Sequence, residues 1–314
     1  MTTAVVYDHR MADYHCLWDD TYVENPERFL CVIERCRELG LLERCSKLES
    51  RKANREELLL CHDENLLELL ESTSTMNEEE LKKVSAKFDC LYIHPGSWLA
   101  AQISAGGAID VVTNVVTGKA KNGMALVRPP GHHAMRADSC GYCYVNNVAI
   151  AARTALKLGV ERILIVDWDV HHGQGTQREF YSDNRVMYVS IHRFEYGAWW
   201  PNLQESNYDH IGSGDGTGYN INIPLNRIGN TDSDYLAAWH RVVLPAATEF
   251  SPQLILISAG FDPAIGCPEG EQEVSPACFA HFTHSLQCSF THPNIKYNDS
   301  LMSRSCKWCC LCYS

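Results

Sequence analysis

Short runs of consecutive apolar residues punctuate the chain at Ala4–Tyr7, Gly123–Val127, Ile163–Asp169, Val186–Ile191, Tyr219–Ile223 and Leu254–Ser258, each followed by a polar or glycine-rich stretch. Apolar runs without polar alternation are the habit of strands buried on both faces of a parallel sheet. Between them, apolar residues recur at helical spacing over Pro26–Leu39, Leu99–Val116, Asn147–Leu158 and Asp234–Glu249. Strand and helix therefore alternate, which predicts an α/β fold with helices covering a mostly parallel central sheet. In such a sheet the site lies beyond the carboxyl ends of the strands, and the residues with chemical potential fall there.

Composition narrows the picture. A chain of 314 residues with 45% hydrophobic content can bury a large core. Its formal charge of −12 argues against direct nucleic-acid binding and suits a basic substrate such as a lysine-rich peptide. The first residues carry no basic region followed by a long apolar stretch, and aliphatic runs such as Ile163–Val166 are too short to span a bilayer, so neither a signal peptide nor a membrane partner is expected. The 15 cysteines then read as reduced thiols of a cytoplasmic, and also nuclear, protein.

Three strand exits carry the chemistry. The first, Ile163-Leu-Ile-Val-Asp167-Trp-Asp169-Val-His171, turns from a fully apolar strand to acidic residues. Residues two apart in an extended chain share a face, so Asp167, Asp169 and His171 are expected to point together. Two carboxylates and an imidazole on one side call for a cation, and that donor set suits zinc or a similar borderline metal. The second exit, Leu254-Ile-Leu-Ile-Ser-Ala-Gly260-Phe-Asp262-Pro, adds a carboxylate and leaves a coordination position open for water or substrate. At the third, Arg128-Pro-Pro-Gly131-His132-His133, a proline-stiffened loop delivers adjacent imidazoles, which suggests proton transfer near neutrality.

At these residues the chain resembles the class II histone deacetylases, and the IIb branch in particular. The resemblance rests on Arg128-Pro-Pro-Gly-His-His, Gly141-Tyr-Cys-Tyr-Val-Asn-Asn, Asp167-Trp-Asp-Val-His-His-Gly-Gln-Gly-Thr-Gln, Ser190-Ile-His-Arg and Ser258-Ala-Gly-Phe-Asp. Within class IIb, His15-Cys-Leu-Trp-Asp-Asp and Trp199-Trp-Pro are similar to the first catalytic domain of the histone deacetylase 6 type. The resemblance runs from about residue 3 to residue 287 and implies the arginase/deacetylase-like three-layer fold. It implies one catalytic zinc on Asp169, His171 and Asp262, with His133 as general base and acid and His132 as its electrostatic partner held by Asp167. It also implies structural potassium on Asp167, Asp169, His171, Ser190 and Ile191, and a second potassium on Phe180, Asp183, Val186 and Tyr219. Gly141, Tyr142 and Trp200 match the channel that holds the acyl-lysine stem, and Gln174 stands where class I enzymes carry an aspartate beside the base. The implied activity is hydrolysis of acetyl-lysine in histone tails, tubulin or other proteins. Glu269 matches a glutamate by which the polyamine-deacetylating branch selects cationic substrates, so polyamine deacetylation is an alternative.

The chain departs from the family pattern after residue 287. Where family members run into an apolar strand ending in Glu-Gly-Gly-Tyr, whose tyrosine donates to the oxyanion, this chain reads Cys288-Ser-Phe-Thr-His-Pro and ends Cys306-Lys-Trp-Cys-Cys-Leu-Cys-Tyr-Ser. Residues 1–287 are accordingly expected to form an incomplete catalytic domain lacking its final strand, and residues 288–314 a disordered, cysteine-rich tail. Tyr297 and Tyr313 are expected to lack the strand and glycines needed to replace the missing donor. A catalytically dead, acetyl-lysine-binding form is therefore a further alternative.

Overall fold

In the computed structural model, which describes residues 2–291 and 307–313, the apolar runs become strands. They are β1 (Thr3–Val6), β2 (Cys45–Lys47), β3 (Asn122–Val127), β4 (Ile163–Asp167), β5 (Val186–Arg193), β6 (Asn220–Leu225), β7 (Leu254–Ala259) and β8 (Lys307–Tyr313). The chain divides into two compact units.

The first unit comprises Met1–Gly159, Gly173–Glu179 and Cys309–Ser314. Its β1 pairs in parallel with β2 on one side and β3 on the other. Against β1 and β3 lies the helix Ser97–Val116, which is apolar on nearly every face and correspondingly buried. By length and composition this helix is able to cross a bilayer, with a hydropathy of 1.3, but 67% of that stretch is buried inside the protein, as in a core helix. The polar helices Arg55–Leu58 and Glu78–Ser85 begin with capping boxes, Asn54 with Glu57 and Asn77 with Glu80, each satisfying two otherwise orphaned backbone donors.

The second unit comprises Val160–His172 and Phe180–Trp308. Here β7, β4, β5 and β6 lie side by side, all parallel, with Asp167 in register with Ser258 on one neighbour and Ser190 on the other. Every residue of β4, β5 and β7 is buried, as their unbroken apolar runs require. The single helix expected over Asp234–Glu249 is three segments, Asp232–Ala238, a wider π-turn at Trp239–Val243, and Leu244–Phe250. Pro245 has no N–H to offer the carbonyl one turn back, which accounts for the break. Trp168, just past β4, packs with Trp239, Phe279 and Phe282, and Trp239 Nε1 donates to Ser285 Oγ at 2.7 Å. That cluster fixes the helix Pro276–Thr291 against the strand exit.

The tail overturns one expectation. Residues 288–291 continue a helix, and residues 307–313 form the strand β8. Lys307 N donates to Gln253 O at 3.1 Å, so β8 begins where β7 begins. The family motif is absent, but Trp308-Cys-Cys-Leu-Cys312 is a continuous run of apolar residues, the pattern of a buried strand. Tyr313 is thus the last residue of a strand, whereas Tyr297 lies outside the described residues.

Candidate active site

Strand β4 stops at Asp167, so the extended alternation expected to align Asp167, Asp169 and His171 does not continue. Asp167 is fully buried and accepts a hydrogen bond from the Tyr188 hydroxyl at 3.0 Å, and its other oxygen receives the Asp169 N–H at 3.2 Å. The residues brought together are Asp169, His171 and Asp262, whose donor atoms lie within 4.8 Å of one another. His171 Nδ1 sits 3.1 Å from Asp169 Oδ1 and 2.9 Å from Asp262 Oδ2. Backbone N–H groups hold both carboxylates, that of Val170 on Asp262 and that of His171 on Asp169, each at 2.8 Å. Gly260 gives the clearance this requires, because a Cβ there would fall 1.9 Å from Asp169 Oδ2.

This donor set fits a divalent ion. Burial, and then the charge of Asp169, push the Asp262 carboxyl up to about 6. Burial alone would drive the His171 imidazole down, but its hydrogen bonds to Asp169, Asp262 and Glu269 hold it well above its ordinary value. Two carboxylates and an imidazole that must borrow protons from solvent to coexist are the arrangement a cation neutralises, and one nitrogen with two oxygens is a catalytic-zinc donor set.

The surroundings of the triad are aromatic. Trp199 stacks on the His171 ring at 4.5 Å between centroids and 14° between planes, and Trp200 meets it edge-on at 5.6 Å. The sequence reading singled out Trp200 and passed over Trp199, although the tandem pair was the available signal. Glu269 Oε1 lies 3.7 Å from His171 Nε2 with its side chain 40% exposed, which sets a third carboxylate at the open side of the triad. Behind it, His172 Nδ1 meets Ser206 Oγ at 2.8 Å, while His192 bridges Ser190 Oγ and the Ser206 carbonyl, each at 2.8 Å.

The residues expected to bind potassium are also placed. Asp167 pairs in register with Ser190, beside Ile191 on β5. The Phe180 carbonyl accepts from Asp183 N at 3.0 Å, the Asp183 carbonyl from Val186 N at 3.2 Å, and the Tyr219 carbonyl from Tyr188 N at 2.9 Å. The Asp183 carboxylate receives Arg185, at 2.8 and 2.7 Å.

In the first unit, the imidazoles of His132 and His133 lie 3.8 Å apart between centroids, tilted by 43°, both buried. His133 Nδ1–H donates to Gln174 Oε1 at 2.7 Å. Gln174 opens the helix Gln174–Phe180, which approaches the histidine loop closely enough that Thr176 N donates to His132 O at 3.1 Å. Only glycine fits at the next position, since a Cβ on Gly175 would fall 2.2 Å from the Ala134 carbonyl. The loop is anchored upstream by Arg128, whose guanidinium is buried with Glu24 at 2.6 Å and lies 3.7 Å above the Tyr14 ring. Gly141 and Tyr142 adopt φ of 55° and 66°, and their N–H groups donate to Asp89 and Cys90 carbonyls, holding the Tyr142 ring edge-on to Tyr22 at 5.9 Å.

Residues 22–297 match the family model described as the histone deacetylase domain. The chain belongs to the histone deacetylase family. Among curated relatives of this family, human polyamine deacetylase HDAC10 is 48% identical over 290 residues, which cover 91% of this chain and 43% of that protein. Histone deacetylase HDA1 of Saccharomyces cerevisiae is 40% identical over 91% of this chain and 44% of its own length. Histone deacetylase 6 of Caenorhabditis elegans is 42% identical over 85% of this chain and 28% of its own length. The chain thus spans less than half the length of these curated relatives. The solved HD domain of HDA15 superposes with a TM-score of 0.87 at 34% identity, covering 100% of this chain and 83% of that one. Within the histone deacetylase family, then, both the α/β architecture and the motif order read from the sequence are those of this chain.

Proposed function

We propose that this chain is a zinc-dependent hydrolase that removes acetyl groups from protein lysines in the cytoplasm or nucleus, with histone tails and tubulin-like proteins as the substrate class. The observation that carries this reading is the convergence of Asp169, His171 and Asp262 within 4.8 Å at the ends of two buried strands. These residues would hold the metal, and zinc when bound polarises the acetyl carbonyl and makes a nucleophile of water near neutral pH.

His133 supplies the proton chemistry. Because Gln174 Oε1 can only accept, the hydrogen bond at 2.7 Å places the imidazole proton on Nδ1. Nε2 is then the basic atom, suited to take a proton from water and return it to the departing lysine amine. His132, with its ring centroid 3.8 Å away and tilted by 43°, limits how far the His133 ring can turn. Trp200, edge-on to His171, would pack against the apolar lysine stem, and potassium would sit beside Asp167 and Ser190, structural in role. The test is acetate release from an acetyl-lysine peptide by the chain reconstituted with zinc. Turnover is expected that a hydroxamate blocks and that His133→Ala lowers by at least about 100-fold. Retained zinc with peptide affinity and no turnover would instead support a binding form.

The position of Glu269 favours a second reading. A carboxylate 3.7 Å from His171 and partly open to solvent attracts a substrate that carries a further ammonium group, and relatives sharing 48% identity are named polyamine deacetylases. On this reading a monoacetylated polyamine is preferred over the peptide, and Glu269→Gln reverses the preference by about tenfold. An unchanged ratio of the two rates in that variant rejects it.

A further inference from the structure

We propose that Cys140 is a positioning residue that sets the tautomer of His133 by fixing which way the Gln174 amide points. The proposal rests on His133 being the base of the reaction above, and its principal readout does not require turnover.

The three side chains form a closed, directional ring. His133 Nδ1–H donates to Gln174 Oε1 at 2.7 Å, Gln174 Nε2–H donates to Cys140 Sγ at 3.1 Å, and the Cys140 thiol donates to the His133 carbonyl at 3.5 Å. All three residues are buried, with relative exposures of 4%, 2% and 5%. An aspartate or glutamate beside a histidine accepts the Nδ1 proton in either rotamer. A glutamine does not: its two ends are nearly isosteric and opposite in hydrogen-bonding sense. Were Gln174 flipped, Nε2–H would face His133 Nδ1, and the imidazole proton would have to move to Nε2, where it blocks the basic atom.

The choice between the two orientations falls to the group on the far side of the amide. A thiol has one proton, and here a backbone carbonyl, which can only accept, takes it. The sulfur lone pairs then face Gln174 and favour its NH2 end. The thiol stays protonated, because burial and the charges of Asp138 and Asp89 push it up to about 12. Its backbone is fixed as well, since Cys143 N donates to Cys140 O at 2.9 Å and the next N–H donates to Asp89.

The experiment uses the full chain with histidine labelled in 15N, and reads the tautomer of His133 from its ring-nitrogen shifts. Wild type is expected to show a protonated Nδ1 and an unprotonated Nε2. Cys140→Ala removes the selecting group and is expected to give a mixture of tautomers. Cys140→Ser keeps one proton and lone pairs and is expected to restore the wild-type signature. Gln174→Glu has no orientation to select, so in that background Cys140→Ala is expected to leave the tautomer where it was. Thermal melting confirms that each variant folds, and the Gln174→Glu comparison stands if Cys140→Ala alone does not. With an acetyl-lysine peptide, Cys140→Ala is expected to lower kcat about three- to tenfold with KM unchanged, the worth of one hydrogen bond. An unchanged tautomer in Cys140→Ala, or an equal shift in the Gln174→Glu background, overturns the proposal. A tautomer shift in a chain that never turns over leaves the positioning role standing and rejects the deacetylase reading instead.

Discussion

The Arg128 guanidinium shows how single residues support the histidine loop. It is buried against Glu24, donates to the Met11 and Tyr14 carbonyls at 3.0 Å each, and donates to the Tyr92 hydroxyl at 2.8 Å. Removing Glu24 strands a charge in the core, so Glu24→Gln is expected to destabilise the chain by about 3–5 kcal/mol. Replacing both partners with apolar residues should cost much less. Urea unfolding of the single and double variants decides, and equal losses in both would mean the pair matters only as packing. His62 makes a second prediction, in pH. Its Nδ1 contacts the Met135 carbonyl at 2.9 Å while Nε2 accepts the Asn146 N–H at 2.8 Å, and burial lowers its pKa from 6.5 to about 4. The fold therefore holds the neutral ring and the unfolded chain binds the proton more readily. The stabilisation is complete above 6.5 and is lost as pH falls towards 4, by about 3 kcal/mol in total. His62→Gln should be less stable at pH 7 yet show a shallower decline between pH 7 and pH 5, and parallel curves for the two proteins would refute this.

Elements show where the sequence was legible and where it was not. Unbroken apolar runs located the buried strands within a residue or two, because burial on both faces leaves no alternative pattern. Exits were legible for the same reason, since charge directly after such a run must be accommodated at a strand end. The alternation argument failed at Asp167 because β4 ends there, so Asp167 turns to Tyr188 while Asp169 and His171 meet Asp262. Gln174 was recognised by its place in a motif, but its link to Cys140 arises from a close approach at Gly175 that no local pattern encodes. The strand β8 lies in a stretch without the family motif, and its only local signal is the short apolar run Trp308–Cys312. Its importance is testable. Truncation after Thr291 would remove a neighbour of β7, a strand buried along its whole length. Unpaired backbone donors and acceptors and an apolar edge would follow. The truncated chain is expected to aggregate or to lose its cooperative thermal transition, and a soluble monomer with an unchanged midpoint would show that β8 contributes nothing.

At the scale of the whole molecule, metal binding should appear as stability confined to one part of it. The donors come from the ends of β4 and β7, both in the second unit, so an ion there ties together segments that without it repel through Asp169 and Asp262. An ion that binds only the folded state stabilises it by mass action, by about 2.7 kcal/mol at a free concentration 100 times the dissociation constant. Adding zinc to the metal-free chain should therefore raise the midpoint of thermal unfolding, and Asp262→Asn should abolish most of that rise. Hydrogen exchange locates the effect. Backbone amides at residues 167–172 and 259–264 are expected to slow when zinc is added, whereas the helices Glu64–Ser72 and Glu78–Ser85 of the first unit should exchange at unchanged rates. Potassium, whose expected donors lie at the β4 exit and on β5, should slow residues 167–171 and 186–193 and leave 259–264 untouched. If zinc protects the first-unit helices and not the strand ends, the metal is held elsewhere, and Asp169, His171 and Asp262 are a buried acidic cluster with no ligand role.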